Sequence, residues 1–450
     1  MIKREILQEL KNWAVKKNRK PMVLRGARQV GKTTVVNEFS KNFTQYIRLN
    51  LELPEDKKPF RNFSTIENLV QTIFISKGKQ YSLRKNTLLF IDEIQEVPEA
   101  FNLLRYFYEE IPEMPVIVAG SLLETLFQRD LQFPVGRVEF LVMRPVSFYE
   151  FLQATNEKPA IKEFEKVPVS LNAHEKLITL FHTYALIGGM PEIVKTWMET
   201  KDITALSSVY DSLITSYSED VEKYANSEKQ TQVLRHVIQT SFIEAGKRIK
   251  FQNFGKSAYG SREVAEAFRT LEKVFLLHLI YPFTGYKLPI EPELQKSPRL
   301  HLLDTGLINY KAGLQAELIG TKDLNAVYQG KIIEHLIGQE ILSKAYSPLA
   351  ALQFWVREKN TSTAEVDYLI HYKGKIIPVE VKSGKTGKLK SLHLFMDESP
   401  STVAIRFYRG EFSVTETVTP NGKKFRLLNL PYYLVSKIED YLIMFEKQKK

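Results

Sequence analysis

Near the start of the chain, Gly26-Ala27-Arg28-Gln29-Val30-Gly31-Lys32-Thr33 fits the pattern G-x-x-x-x-G-K-[ST] at every fixed position, and Thr34 follows it. The chemistry this spacing serves is phosphate binding. Backbone N–H groups must curl around an anion, and Gly26 and Gly31 supply the backbone angles and the close approach that such a loop needs. Lys32 is then placed to reach the β- and γ-phosphates of a nucleoside triphosphate, and the Thr33 hydroxyl to join the shell of a Mg²⁺ ion. The flanks suit the loop. Pro21 to Leu24 is a short apolar run that can be a buried strand. Thr34 to Phe39 starts a helix whose positive dipole end faces the same phosphates. The competing reading is a glycine turn that matches by chance, which the strand before and the helix after argue against.

Three further sets of residues can complete that chemistry. Asn86-Thr87-Leu88-Leu89-Phe90-Ile91-Asp92-Glu93 reads as a buried parallel strand ending in two adjacent acids. Asp92 would support the metal shell and Glu93 would orient and polarise an attacking water; acids also stand at strand ends merely to begin a turn. Val116 to Ala119 is a second buried strand, followed by Gly120 and by Ser121, whose hydroxyl could bond the γ-phosphate or the water. Arg137 stands beside Gly136. It is a candidate for an arginine that reaches a phosphate, set against a plain salt bridge to Glu139 or another surface acid.

More than three hundred residues downstream is a second set. Glu380 and Lys382 are two apart on an expected strand, so their side chains share a face. Asp367, on the strand expected to pair with it across the turn at Gly374, can reach the same face, and Glu334 can join from a helix. Three acids and a lysine converging there could hold one or two Mg²⁺ ions and orient a hydroxide against a phosphodiester. The bland alternative is a salt-bridge network around Lys382. Lys382, Lys385, Lys388 and Lys390 make a basic stretch that is either a solvated face or one that follows a nucleic-acid strand.

Taken in order, these pieces resemble a known family. Gly26 to Thr33, Asp92-Glu93-Ile94-Gln95, Gly120-Ser121, Gly136-Arg137 and Pro145 to Phe151 (P-V-S-F-Y-E-F) are similar to the motifs of AAA-type ATPases of bacteria and archaea, over residues 1–155. The resemblance implies an ATP site with Mg²⁺, Ser121 as its sensor residue, and Arg137 acting in cis or from a neighbouring subunit of a homo-oligomer. Gly188-Gly189-Met190-Pro191 resembles the motif by which related ATPases, including the STAND class, set a proline against the adenine; an ordinary helix–helix turn would look the same. The set Glu334, Asp367, Glu380 and Lys382 resembles the PD-(D/E)xK nuclease fold, and also the domain of unknown function that usually follows this type of ATPase. Asp367 departs from the nuclease pattern in lacking a preceding proline.

The elements that must position these residues fall into three parts. A chain of 450 residues is too long for one ordinary core, and about three domains is the expectation. The fold class expected is α/β. A P-loop parallel sheet spans 1–155, a helical and winged-helix region 156–324, and an α/β restriction-endonuclease-like domain 325–450. Residues 1–20 read as an amphipathic helix packing on the first domain, with another from Ala100 to Glu110. In the middle, Ile249 to Phe254 and Ser261 to Val274 read as helix, turn and helix, with Ser261 as cap and Val264, Ala267, Phe268, Leu271 and Val274 as one apolar stripe. Phe275 to Pro282 reads as the strand of a wing. The second helix carries Glu263, Glu266 and Glu272 against Arg262, Arg269 and Lys273, a face that suits a lid or docking module better than a DNA reader.

Composition narrows the class further. Hydrophobic residues are 44% and charged residues 26%, as in folded globular proteins, and no apolar run is long enough to span a bilayer, so no membrane partner is expected. The absence of cysteine excludes disulfides and thiolate metal sites. With no apolar signal core at the N-terminus, a cytoplasmic location is the expectation. Lys and Arg exceed Asp and Glu by 63 to 52, a net charge of +11 that favours a polyanionic partner, DNA or RNA, without requiring one.

Overall fold

A computed structural model describes residues 2–120, 136–225, 227–315, 331–359, 362–382 and 389–447. Five parallel strands form the first sheet, in the order β2-β3-β4-β1-β5: β1 Met22–Arg25, β2 Gln45–Asn50, β3 Thr87–Asp92, β4 Val116–Ala119 and β5 Glu139–Val142. All six residues of β3 are buried, as a central parallel strand covered on both faces requires. One apolar face packs with helix Ile6–Ala14 through Ile6, Leu10 and Trp13, and the other with helix Ile66–Ser76. The N-terminal helix is shorter than the sequence pattern predicts. The helix expected from Ala100 breaks at Leu103 into Pro98–Asn102 and Leu104–Glu110.

The middle region is largely helical, with helices His174–Ile187, Pro191–Thr200, Ser207–Glu219 and Glu228–Glu244. Helix Ser261–Lys273 buries Val264, Ala267, Phe268 and Leu271, the expected stripe. Its partner is Glu228–Glu244, not Ile249 to Phe254. The latter stretch is irregular and leads into a single turn, because Asn253, Gly255 and Lys256 all have φ between 54° and 62°, which no right-handed helix contains. The cap also differs. Gly260 precedes the helix, and its N–H donates to Glu263 Oε2 at 3.1 Å, with Ser261 already inside the helix. The strand expected from Phe275 to Pro282 is two: β6 (Leu277–Ile280) pairs antiparallel with β8 (Arg299–Leu302), while β7 (Pro282–Phe283) joins another sheet.

That other sheet has the order β10-β9-β7, with β9 Phe354–Lys359 and β10 Ser362–Val366. The last sheet is β11-β12-β13-β15-β14, formed by β11 Tyr368–Tyr372, β12 Lys375–Val381, β13 Val403–Tyr408, β14 Ser413–Val418 and β15 Lys424–Pro431. β11 and β12 make the hairpin expected around Gly374. Helix Lys331–Ser343 packs against this part, and helix Ile438–Lys447 closes the chain. Among the described residues no helix is long and apolar enough to cross a membrane.

Candidate functional site

The phosphate loop leaves β1 and enters helix Lys32–Phe39. Gly26 has φ +141°, and a Cβ there would lie 2.2 Å from the Met143 carbonyl oxygen, so only glycine fits. Gly31 has φ +96° and Gln29 φ +61°, so the loop curls through left-handed conformations. Lys32 is buried, and its Nζ donates to the Gly26 and Ala27 carbonyls at 2.9 Å each. Burial lowers its pKa from 10.5 to about 8, against the opposing pull of Glu93 and Asp92. Thr33 Oγ1 donates to Asp92 Oδ2 at 2.9 Å; Thr34 is exposed. Glu93, just past β3, takes φ +51°, and Gln95 Nε2 donates to its Oε2 at 2.6 Å. Lys32, Thr33, Asp92 and Glu93 are therefore brought to one place at the C-terminal edge of the sheet.

Residues that no motif announced complete this loop. Arg48, on β2, donates to the same Asp92 oxygen as Thr33, also at 2.9 Å. Arg4 donates to the Val30 carbonyl at 2.9 Å and to Glu150 Oε2 at 3.0 Å, tying the loop to the P-V-S-F-Y-E-F segment. Glu150 also closes a capping box with Ser147 at the start of helix Phe148–Ala154. The middle region reaches the loop at two points. Arg28 pairs with Asp220, and its carbonyl accepts from the Tyr217 hydroxyl at 3.0 Å. Pro191, the first residue of its helix, comes within 3.8 Å of where a Cβ on Gly31 would stand. Gly188 and Gly189 allow this approach. The Gly189 N–H donates to Asp304 Oδ2 at 2.6 Å, and a Cβ on Gly189 would lie 2.2 Å from the Val146 carbonyl oxygen.

Ser121 and Arg137 complete the expected set. Ser121 lies outside the described residues, one position past Gly120. Arg137 does not face the loop of its own chain. It precedes β5, whose Glu139 aligns with Met22 at the start of β1, whereas the loop begins after Arg25, roughly 10 Å or more along the strand. Its Nε pairs with Glu109 at 2.8 Å, while Glu139, the partner considered from the sequence, pairs with Lys16.

The C-terminal acids do converge, though Asp367 is placed differently from expectation. It stands at the bend between β10 and β11, where the chain passes from one sheet to the other, and not within the hairpin. Its Oδ2 accepts the Val381 N–H at 2.7 Å. Glu380 is buried, with Oε1 bonded by Lys382 Nζ at 2.5 Å and Oε2 without a partner among the described residues. Burial, with the Asp367 charge adding to it, raises the Glu334 and Glu380 carboxyls to about 8, against the opposing pull of Arg299 on Glu334 and of Lys382 on both. Burial pushes Asp367 upward as well. Yet among the described residues no group of three His, Cys, Asp or Glu side chains is placed to hold a metal ion. Of the three acids expected to form a cage, Glu334 is bonded by Arg299, Glu380 by Lys382 and Asp367 by the Val381 N–H. Glu334 is paired with Arg299, a residue of β8 that the sequence did not single out. Lys385 and Lys388 lie outside the described residues.

Three families match consecutive parts of the chain: the AAA domain over residues 18–152, a domain of unknown function (DUF8612) over 178–318, and a second (DUF4143) over 329–432. No curated protein matches the chain. Among solved structures it is similar to the Walker-type ATPase PABY2304 of Pyrococcus abyssi, at 13% identity over 69% of this chain and 96% of that one, with a TM-score of 0.43. It is also similar to the Orc1 protein of Aeropyrum pernix in complex with DNA (12%, 70% and 95%, TM-score 0.29). A third likeness is to Cdc6p of Pyrobaculum aerophilum (10%, 70% and 92%, TM-score 0.25). The segment 18–152, which carries the parallel five-stranded sheet and the phosphate loop, matches the AAA domain family.

Proposed function

We propose that the chain is a Mg²⁺-dependent ATPase that couples nucleotide turnover to a C-terminal nuclease-like domain acting on DNA or RNA. Its parts are an ATPase domain (1–155), a lid with a winged-helix module (156–324) and the nuclease-like domain (325–450). The phosphate loop from Gly26 to Thr34 holds the phosphates, with Lys32 turning from the loop carbonyls to the nucleotide. Thr33 and Asp92 hold Mg²⁺, which neutralises phosphate charge when bound. Glu93, steadied by Gln95, orients and polarises the water, and Ser121 senses the γ-phosphate. Pro191 lies beside the adenine, and Arg137 acts from a neighbouring subunit. The observation that carries the reading is Lys32, buried with its charge opposite Asp92 and Glu93 in a loop that the middle region touches at Arg28 and Gly31.

Glu93→Gln should leave ATP binding intact and slow hydrolysis by about 10²- to 10³-fold, while Lys32→Ala should lose both. Turnover of Glu93→Gln at the wild-type rate in a phosphate-release assay removes the assignment. A second reading has a nucleotide-driven switch whose C-terminal domain only binds a partner, and the pairing of Glu334 with Arg299 and of Glu380 with Lys382 favours it. Incubation with single- and double-stranded DNA and RNA, with Mg²⁺ or Mn²⁺, separates the two. Cleavage lost in Asp367→Ala supports the nuclease, and salt-sensitive binding without cleavage supports the partner module.

A further inference from the structure

Arg28 stands inside the phosphate loop, between Gly26 and Gly31, yet its charge is turned toward the middle region. Its Nη1 pairs with Asp220 Oδ1. Of the five N–H donors a guanidinium carries, this one engages no other partner among the described residues. The Arg28 side chain is 29% exposed, whereas that of Asp220 is 7% exposed. The backbone beneath it is held, because the Arg28 carbonyl accepts from the Tyr217 hydroxyl at 3.0 Å. The guanidinium can therefore turn without the loop moving, and it borders a cavity with Tyr217, Tyr224 and Leu271. Its neighbours in charge lie on the loop as well. Burial opposes the Arg28 charge, but Asp220 and then Glu93 more than offset this and raise its pKa above the ordinary value. Arg28 also disfavours the charge on Lys32, a smaller effect there than burial. The arginine is thus shared between an acid of the middle region and the acid proposed to polarise the water.

We infer that Arg28 is a γ-phosphate contact held in reserve on Asp220, so that a bound triphosphate, and not a diphosphate, draws it off the middle region. The inference deepens the reading of the loop as an ATP site and rests on it. A terminal phosphate carries more charge than a carboxylate and offers its oxygens to the planar fork of the guanidinium, so it competes well for an arginine that Asp220 holds through one nitrogen. The added cation comes from the same chain as the loop. Asp220 is not stranded by the exchange. Lys223 Nζ already lies 3.4 Å from its Oδ1, and Oδ2 has no partner among the described residues, which leaves both oxygens open to that lysine. Asp220 begins the single turn Asp220–Lys223, which links helix Ser207–Glu219 to the approach to helix Glu228–Glu244. Parting Arg28 from Asp220 frees this turn from the loop while the Tyr217 bond stays in place. The presence of a γ-phosphate is thereby passed to the middle region through one side chain.

The test is nucleotide binding by the full-length chain with Mg²⁺, comparing the non-hydrolysable β,γ-imido analogue of ATP with ADP by competition against a fluorescent nucleotide. The quantity read is the preference for the analogue over ADP, which a merely structural ion pair would leave unchanged. Arg28→Gln should lower that preference and Asp220→Asn should raise it, each by about fivefold or more. Arg28→Lys, which keeps the charge and loses the fork, should retain part of it. In the double variant Arg28→Gln with Asp220→Asn the rise must vanish, because no guanidinium is left to release. The double variant also carries the test if Arg28→Gln does not fold, since it removes the buried carboxylate that the single change leaves to Lys223 alone. An unchanged preference in Asp220→Asn, or one that Asp220→Asn raises equally with and without Arg28, overturns the inference and leaves the ATP site standing. So does a preference in the double variant as high as in the wild-type chain. Failure of the wild-type chain to bind either nucleotide removes the ATP site and this inference together.

Discussion

Lys32 has a measurable consequence of its own. Burial holds its pKa at about 8, and triphosphate charge would raise it, so above about pH 8 nucleotide binding must bring a proton with it. ATP affinity should thus be independent of this group below about pH 7 and fall between pH 8 and 9.5, approaching tenfold per pH unit. Fluorescent-nucleotide titrations across that range check it, and a flat profile would show that Lys32 is charged before nucleotide binds. Lys32, Thr33, Asp92 and Glu93 were legible in the sequence because their partners are fixed by a local pattern on a strand–loop–helix unit. Arg4, Arg48 and Arg299 were not. Their bonds to Glu150, Asp92 and Glu365 span 146, 44 and 66 residues, and a lone arginine carries no spacing that announces such a partner. Arg137 shows the converse. A glycine–arginine pair looks functional, but only the register of β5 against β1 reveals which edge of the sheet it occupies.

At the scale of elements, the apolar strands β1, β3 and β4 stood out as continuous hydrophobic runs, whereas β14 did not. Ser413 to Val418 is exposed along most of its length at the sheet edge, so nothing in its composition marks burial. Helix ends were misread where one backbone angle decides, as at Asn253 and Gly255. The P-V-S-F-Y-E-F segment is the clearest case of a motif whose physical cause appears only in three dimensions. Ser147 and Glu150 cap the helix, Phe148 and Phe151 enter the core, and Glu150 neutralises buried Arg4. Removing that carboxylate strands the arginine next to the phosphate loop. Glu150→Ala should cost about 3–5 kcal/mol in urea unfolding, and Glu150→Gln, which keeps the acceptor for the cap, noticeably less. Equal losses in the two variants would assign the role to the charge paired with Arg4 alone, and an unchanged Glu150→Gln would assign it to the cap alone.

For the molecule as a whole, the three regions expected from length and motifs are joined more tightly than their sequence boundaries suggest. One connected hydrophobic cluster runs from Ile6 to Phe445. β9 of the last region takes β7 of the middle as its parallel neighbour, and Phe283 and Tyr286 pack with Trp355 and Phe395. The last region also touches the first directly, where the Val142 N–H donates to the Tyr346 carbonyl at 2.8 Å and the Phe148 N–H to Glu340 Oε1 at 3.0 Å. A boundary drawn before residue 331 therefore cuts a sheet and exposes an apolar seam. A fragment of residues 331–447 should retain strand content yet bind a hydrophobic dye and unfold without a cooperative transition. One of residues 275–447 restores β6, β7, β8 and Arg299, and should unfold cooperatively. If the shorter fragment melts as sharply as the longer one, β7 and Arg299 are dispensable to the last region's fold, and the middle region controls it only through contacts made elsewhere.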